Sequence, residues 1–432
     1  DIYWNDRLTI NIGVRYDYWD GFDLDQRSSP LWQALHNQTR YNEAYLNDFK
    51  SDDGVLDNDD NNYAARFGFT YDLKGDGTQL LRGGFGTFYD FPYTNATILF
   101  PAAAVQSNFG VIYTHSNPNG IRNPNGTFFQ PGQPLPPNQN PPGSGQPVKD
   151  EVASPTLATP YSDQISLGYS WQVNEWLGIN IDAVSIDYHD LPFRFRPNTI
   201  DSATGNRRFA PEGFTNLFRV WYGGGRASYD GINIGARIRR DKFELQGFYT
   251  LSEAEGNVLA GADEFRLYDT DKQSDLGGGR FRRDASVDPL NPLCERCFGP
   301  LYTDARHRVT LGGLYRAPWD LVLSGMLRYH SAFPYNEHAN ADLNGDGFND
   351  LRPGVAHVNT GRADSFSQLD VRVSRDFVFG GGWGVEVLVE VFNVFNEDNP
   401  NKVDRFGNPS AFSGDPLQGE QRLAQVGARF HF

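Results

Sequence analysis

Twelve short stretches in this chain alternate apolar and polar residues, and the connections between them switch strictly between very long and very short. In residues 8 to 18, Leu8, Ile10, Ile12, Val14, Tyr16 and Tyr18 share one strand face, while Thr9, Asn11, Gly13, Arg15 and Asp17 share the other;. A strand of a soluble sandwich can look the same, so the discriminating feature is spacing. The long connections cover 19–63, 90–161, 191–225, 252–303 and 332–364, and a last one leads to Gly419. The short ones are turns such as Lys74–Thr78, Val173–Glu175 and Ala317-Pro318. Structureless loops of more than about 15 residues are uncommon in compact soluble domains. Long loops at one rim and short turns at the other are the pattern of a transmembrane antiparallel up-and-down β-barrel.

Further strands are expected at 64–73, 79–89, 162–172, 176–190, 226–239, 304–316, 365–377 and 383–396, with return strands starting near Phe243 and Trp319. In 176–190 the apolar set moves to Val184, Ile186 and Tyr188, which reads as a β-bulge;. The segment Asn117–Pro147 is rich in Pro, Gly, Asn and Gln, has no apolar period, and is expected to be an exposed, partly disordered loop;.

Composition supports strands over helices. Aromatics make up 14% of the residues and there are 46 Gly, which suits strands with aromatic girdles at two interfaces;. No run of 18 apolar residues offers a membrane-spanning helix;. A net charge of −16 disfavours nucleic acid as a partner;. The acids gather in loops, for example Asp52, Asp53, Asp57, Asp59 and Asp60, and read first as a solvated surface;. The chain opens on Asp1 without a signal peptide, so it is expected to be processed, truncated or incomplete;.

The last strand ends Val426-Gly427-Ala428-Arg429-Phe430-His431-Phe432. Val426, Ala428, Phe430 and Phe432 share an apolar face, opposite Arg429 and His431, as a lipid-facing strand around a wet lumen requires;. The terminal aromatic pattern of Phe432, Phe430 and Val426 resembles the signal that barrel-assembly machinery reads.

Several segments resemble one family: Arg7–Asp17, Asn61–Asp72, Leu81–Asp90, Leu343–Asp350 with Arg352-Pro353-Gly354, and Val391–Asn396 before Asn399-Pro400. Their order is similar to that of the barrel of Oar-like TonB-dependent receptors. That resemblance implies an outer-membrane transporter of a Gram-negative bacterium, embedded in outer-membrane lipid, with roughly 22 strands and an N-terminal plug that contacts TonB. Against it, this chain carries about twelve strands and no plug, so residues 1–432 are expected to be the C-terminal part of such a barrel. The ligand would be an extracellular solute of unknown class; siderophore, oligosaccharide, peptide and cobalamin receptors share the architecture. A surface-displayed adhesive or structural barrel that transports nothing is the alternative, and a soluble β-sandwich is the third reading.

Candidate sites each have a plain structural reading beside the chemical one. Asp342, Asn344, Asp346, Gly347 and Asp350 have calcium-loop spacing, but Pro353 stands where a bidentate acid belongs, so a ligand such as Asp364 would have to be borrowed;. Otherwise the loop simply caps its own turns. No cofactor is required, and calcium is the one candidate ion. Cys294 and Cys297 have no further zinc ligands at suitable spacing and are expected to form a disulfide in an exported protein;. Glu386 and Glu390, with Arg372 and Asp370 nearby, read as lumen charges rather than an acid–base pair;. His307 has no nucleophile signature beside it, and the runs Gly223–Gly225 and Gly277–Gly279 are placed in loops that open no helix, so no enzymatic activity is expected;. Loop aromatics, namely Tyr93, Phe109, Tyr113, Phe128, Phe129, Trp221, Tyr222, Phe333 and Tyr335, could stack on a ligand or simply pack locally;.

Overall fold

The computed structural model describes residues 1–20, 23–90, 151–257, 287–301, 303–337, 339, 341–346, 350–379, 381–399 and 421–432. The expected disordered segment 117–147, Gly277–Gly279 and five of the loop aromatics lie outside these residues.

Alternation of apolar and polar residues becomes one antiparallel path of strands. In chain order these are β1 (Ile2–Asn5), β2 (Leu8–Tyr16), β3 (Tyr63–Asp72), β4 (Gln79–Tyr89), β5 (Tyr161–Asn174), β6 (Leu177–Phe195) and β7 (Arg219–Arg240). They continue as β8 (Phe243–Gly256), β9 (His307–Arg316), β10 (Leu321–His330), β11 (Phe366–Val378), β12 (Gly384–Phe392) and β13 (Leu423–His431). Each pairs with its sequence neighbours, and among the described residues β13 does not pair with β1, so the sheet is open. Two short strands join it from the loops: Glu151–Ala153 lies parallel to β7, and Gly299–Pro300 pairs with β8.

The turns show why the short rim is tight. After β3, the Asp72 carboxylate accepts the Lys74, Gly75 and Gly77 N–H groups at 3.2, 2.8 and 2.7 Å, while Gly75 and Gly77 take φ of 77° and 73°;. Asn174 Oδ1 accepts the Trp176 and Leu177 N–H groups in the same manner. The expected Ala317-Pro318 turn is longer: Trp319 and Asp320 adopt φ of 66° and 57°, and β10 begins at Leu321. Trp319 is therefore a turn residue, strongly exposed at the rim.

Register places the apolar residues in rows on one face. Ile12, Phe67, Phe85 and Ile165 are opposite one another across four strands, and Ile181, Ile234, Tyr249, Val309 and Tyr329 across five more. This face is open to the surroundings, with Val14 77% and Ile165 58% exposed. A continuous apolar sheet face of this extent is sustained by lipid rather than by water.

The edge strand is β1, which covers the start of β2 through Ile2–Ile10 and Tyr3–Thr9 pairs. Two expectations are corrected. No bulge occurs within β6 near Val184: its pairing with β5 runs without a shift from Gly178 to His189. Val184, Ile186 and Tyr188 therefore stay on the face of Asn180 and Asp182, and the outward face turns polar with Ser185 and Asp187. Asp163 opposite Asp187 and Asp230 opposite Glu253 mark where the outward apolar band ends. Finally, Gly223–Gly225 lie inside β7, not in a loop, at the two register shifts of its pairing with β6. A Cβ on Gly223 would sit 2.0 Å from the Thr156 carbonyl oxygen, so the close approach of that segment requires glycine;.

Above the band, the long connections build a second, buried layer. β6 and β7 reach past the membrane and meet two helices, α1 (Pro30–Asn37) and α2 (Ala44–Ser51), within the 19–63 connection. Ser29 Oγ accepts the Trp32 N–H at the start of α1, with Pro30 in the first turn;. Leu31, Leu35, Leu46 and Phe49 pack with Phe193, Phe195, Phe209, Phe218 and Val220, all essentially inaccessible. Gln26 fastens this layer across a long sequence separation, pairing its amide with both the N–H and the carbonyl of Ala153 at 2.8 and 2.9 Å.

Candidate functional site

Two surfaces can do chemistry or binding: the inner wall of the sheet and the packed cap formed by its long connections. Along the inner wall, charges are paired in ladders. Arg82 reaches Asp182 at 2.5 Å and Ser170 at 2.5 Å. Arg372 binds Glu386 at 2.7 Å and Glu390 at 3.4 Å, Arg429 adds to Glu386 at 3.5 Å, and Gln425 donates to Glu390. Asp370 belongs to a different group, with Arg328 at 3.4 Å and the Asn393 N–H at 2.9 Å. With Arg372 between them, Glu386 and Glu390 are acceptors in an ion-pair ladder.

His307 Nδ1 meets the Tyr249 hydroxyl at 2.9 Å with the rings stacked. Trp221 and Tyr222 are buried: Trp221 Nε1 donates to Glu151 at 3.1 Å and the Tyr222 hydroxyl to Asp48 at 2.5 Å. Both bind the cap together and are withdrawn from ligand. Phe333 packs against His330 at 4.5 Å beside β10.

In the loop spaced like a calcium site, Asp342 Oδ1 accepts the Gly345 and Asp346 N–H groups at 2.6 and 3.1 Å. Asp350 accepts the Leu343 and Asn344 N–H groups at 2.5 and 3.3 Å and the Asn344 amide at 2.5 Å. Burial holds the Asp350 carboxyl above its ordinary value despite these bonds;. Arg207 donates to the Gly345 carbonyl, tying this loop to the cap. Asp364 is exposed and makes no hydrogen bond or ion pair among the described residues, and Gly347 lies outside them. Among the described residues no three acidic, His or Cys side chains converge on a metal-sized point. Cys294 and Cys297 are joined as a disulfide around a single 3₁₀ turn, with Cα atoms 5.1 Å apart. Val426, Phe430 and Phe432 are exposed on the outward side of β13.

Sequence reasoning missed the cap. Its helices carry readable signals, a Ser29-Pro30 start and apolar residues at 31, 32, 34 and 35, then at 45, 46 and 49;.

With that geometry established, comparison with known proteins is decisive at one level. Residues 1–353 match the profile of the outer membrane beta barrel domain. The chain belongs to this family. The outer membrane beta barrel therefore resides in the outer membrane of a Gram-negative bacterium, in a family of membrane proteins rather than enzymes. No curated protein matches it. Among solved structures it is similar to a mutant of the ferric enterobactin receptor PfeA of Pseudomonas aeruginosa, at 12% identity and TM-score 0.48, covering 99% of this chain and 43% of that one. The siderophore receptor PiuA of Acinetobacter baumannii gives 12% and 0.47, over 99% and 41%. The outer membrane transporter YddB of Escherichia coli gives 12% and 0.45, over 86% and 41%. The barrel chain thus spans less than half the length of each of these.

Proposed function

We propose that this outer membrane beta barrel is the C-terminal part of a TonB-dependent, Oar-like receptor that captures a scarce extracellular solute in its loops and admits it past a plug. The observation that carries this reading is the open sheet: strands with a charged, polar inner wall, whose end strands β1 and β13 have no outer partner among the described residues, need further strands to close around a lumen;. The ordered cap supports it, since a rigid extracellular layer is the platform on which capture loops are held;. TonB would act through the plug, and barrel-assembly machinery would read the end of β13.

Calcium binding by the Asp342–Asp350 loop is part of this proposal, tested by whether millimolar Ca²⁺ protects the loop from a protease that cuts it in chelator. The transport reading is tested on the intact protein by cysteine cross-linking to TonB in cells. TonB capture that depends on a segment upstream of β1 supports it; an upstream signal peptide leading straight into β1, with no TonB contact, leaves the adhesive, non-transporting barrel.

A further inference from the structure

At the outer end of β6 and β7, a cavity of about 310 Å³ is lined by Arg196, Arg207, Asn216, Leu217 and Arg219. The register explains how three arginines come to share it. Phe195 pairs with Val220 and both enter the cap core, so Arg196 and Arg219, their neighbours in sequence, are turned to the other side by strand alternation;. Arg207 reaches the same hollow from the β6–β7 connection. Among the described residues no Asp or Glu lines it.

Arg207 shows what the cavity calls for. Its Nη1 donates to the Asn198 carbonyl at 3.1 Å and to the Gly345 carbonyl. Both acceptors are neutral, so they fix the half-buried guanidinium in place and leave its charge uncancelled; among the described residues it has no ion-pair partner. Other arginines of the cap are matched, Arg208 by Glu43 and Arg40 by Glu212. Arg219 donates through Nη1 to Glu151 at 2.7 Å. Asn216 gives its carbonyl to Asn198 Nδ2 at 2.6 Å, and its side-chain amide makes no hydrogen bond among the described residues. A rigid, partly desolvated guanidinium without a counter-charge, facing a hollow it shares with two more, is relieved by an anion.

Two properties of the wall select that anion. A carboxylate presents two oxygens and a phosphate or sulfate group three or more, and three guanidinium groups with an amide offer more donors than two oxygens take up. Height excludes a membrane source. Asp230 marks the end of the outward apolar band, and Arg219 stands eleven residues further along β7, roughly 35 Å of strand, whereas a headgroup layer is only about 5–8 Å deep;.

We propose that this cavity binds the phosphate or sulfate group of a soluble solute. Arg207 is the principal charge partner, Arg196 and Arg219 supply flanking positive charge, and the Asn216 amide donates a further hydrogen bond. The solute arrives from outside the cell in the proposed topology, but binding requires neither plug nor TonB, so this reading and the transport reading fail separately.

The test is calorimetric titration of the purified intact protein in detergent with inorganic phosphate and with sulfate, at fixed ionic strength. Saturable binding is expected, with acetate about tenfold weaker. Asn216→Asp turns one exposed amide into a carboxylate while keeping the backbone bond to Asn198, and should weaken phosphate binding about tenfold or more by repulsion;. Arg207→Gln should do the same, with hydrogen exchange over Phe209–Phe218 checking that the connection stays folded; if it does not, Asn216→Asp alone carries the test. Arg27→Gln removes a charge from an exposed pair outside the cavity and should leave affinity unchanged. In nanodiscs, phosphate should bind equally with and without lipopolysaccharide. No saturable binding, equal affinity for acetate, unchanged affinity in Asn216→Asp, equal weakening by Arg27→Gln, or competition by lipopolysaccharide overturns the proposal.

Discussion

Ile165 and Phe195 sit in adjacent strands of the same sheet, yet one is 58% exposed and the other fully buried. The wall displays its apolar residues outward in register, whereas the cap hides Leu35, Phe49 and Phe195 inside a core of its own. The same hydrophobic driving force thus has two solvents to escape into. In the wall lipid completes the packing, so side chains there need no protein partner. In the cap only other loop residues can do so, which is why connections of very different sequence position are fastened by Gln26–Ala153, Arg208–Glu43 and Arg40–Glu212 contacts.

This contrast can be broken by choosing which layer to damage. Phe49→Ala should cost the cap about 3–5 kcal/mol. Hydrogen exchange would then rise over α1 and α2 while β8 to β11 keep their protection; uniform loss would mean that cap and wall are one cooperative unit. Leu167→Arg places a charge on the lipid face and should destabilise the wall by about 2–4 kcal/mol near mid-membrane, read by urea unfolding in lipid vesicles. A neutral result would mean that this face does not meet lipid. Ser29→Ala removes the cap of α1 and should cost about 1 kcal/mol, visible only in α1 exchange.

The smallest effect is acid sensitivity. The Arg27 guanidinium holds the Asp25 carboxyl down to about 2, and the Ala203 N–H and Tyr41 hydroxyl hold Asp201 below the usual 3.8. Depressed carboxyls contribute stability above their ordinary value and lose it as pH falls through the lowered one, so protease cleavage of the cap should increase between about pH 4 and 2 while the wall resists. Cleavage that increases first on raising the pH would have the wrong sign.

The wall was legible because a period of two survives in every spanning strand and Gly- or Asn-bearing turns mark its short rim. β1 was not, since four residues before Asn5-Asp6-Arg7 carry no measurable period. β6 and β7 were cut short because their upper halves leave lipid and change face composition: Val184 and Ile186 turn inward as Asp187 turns outward. The cap core joins Leu31, Val152 and Phe214, residues whose proximity is set by which strands neighbour each other, not by local pattern.

In the proposed topology lipid divides the molecule, with the cap outside the cell and the tight turns in the periplasm. Single cysteines at Ala203 in the β6–β7 connection and at Asp76 in the β3–β4 turn, on a background with Cys294 and Cys297 replaced by Ser, can be labelled with a membrane-impermeant maleimide in intact cells. This topology predicts labelling of Ala203→Cys at once and of Asp76→Cys only after the outer membrane is permeabilised. Prompt labelling of Asp76→Cys in intact cells, with Ala203→Cys protected, would contradict it.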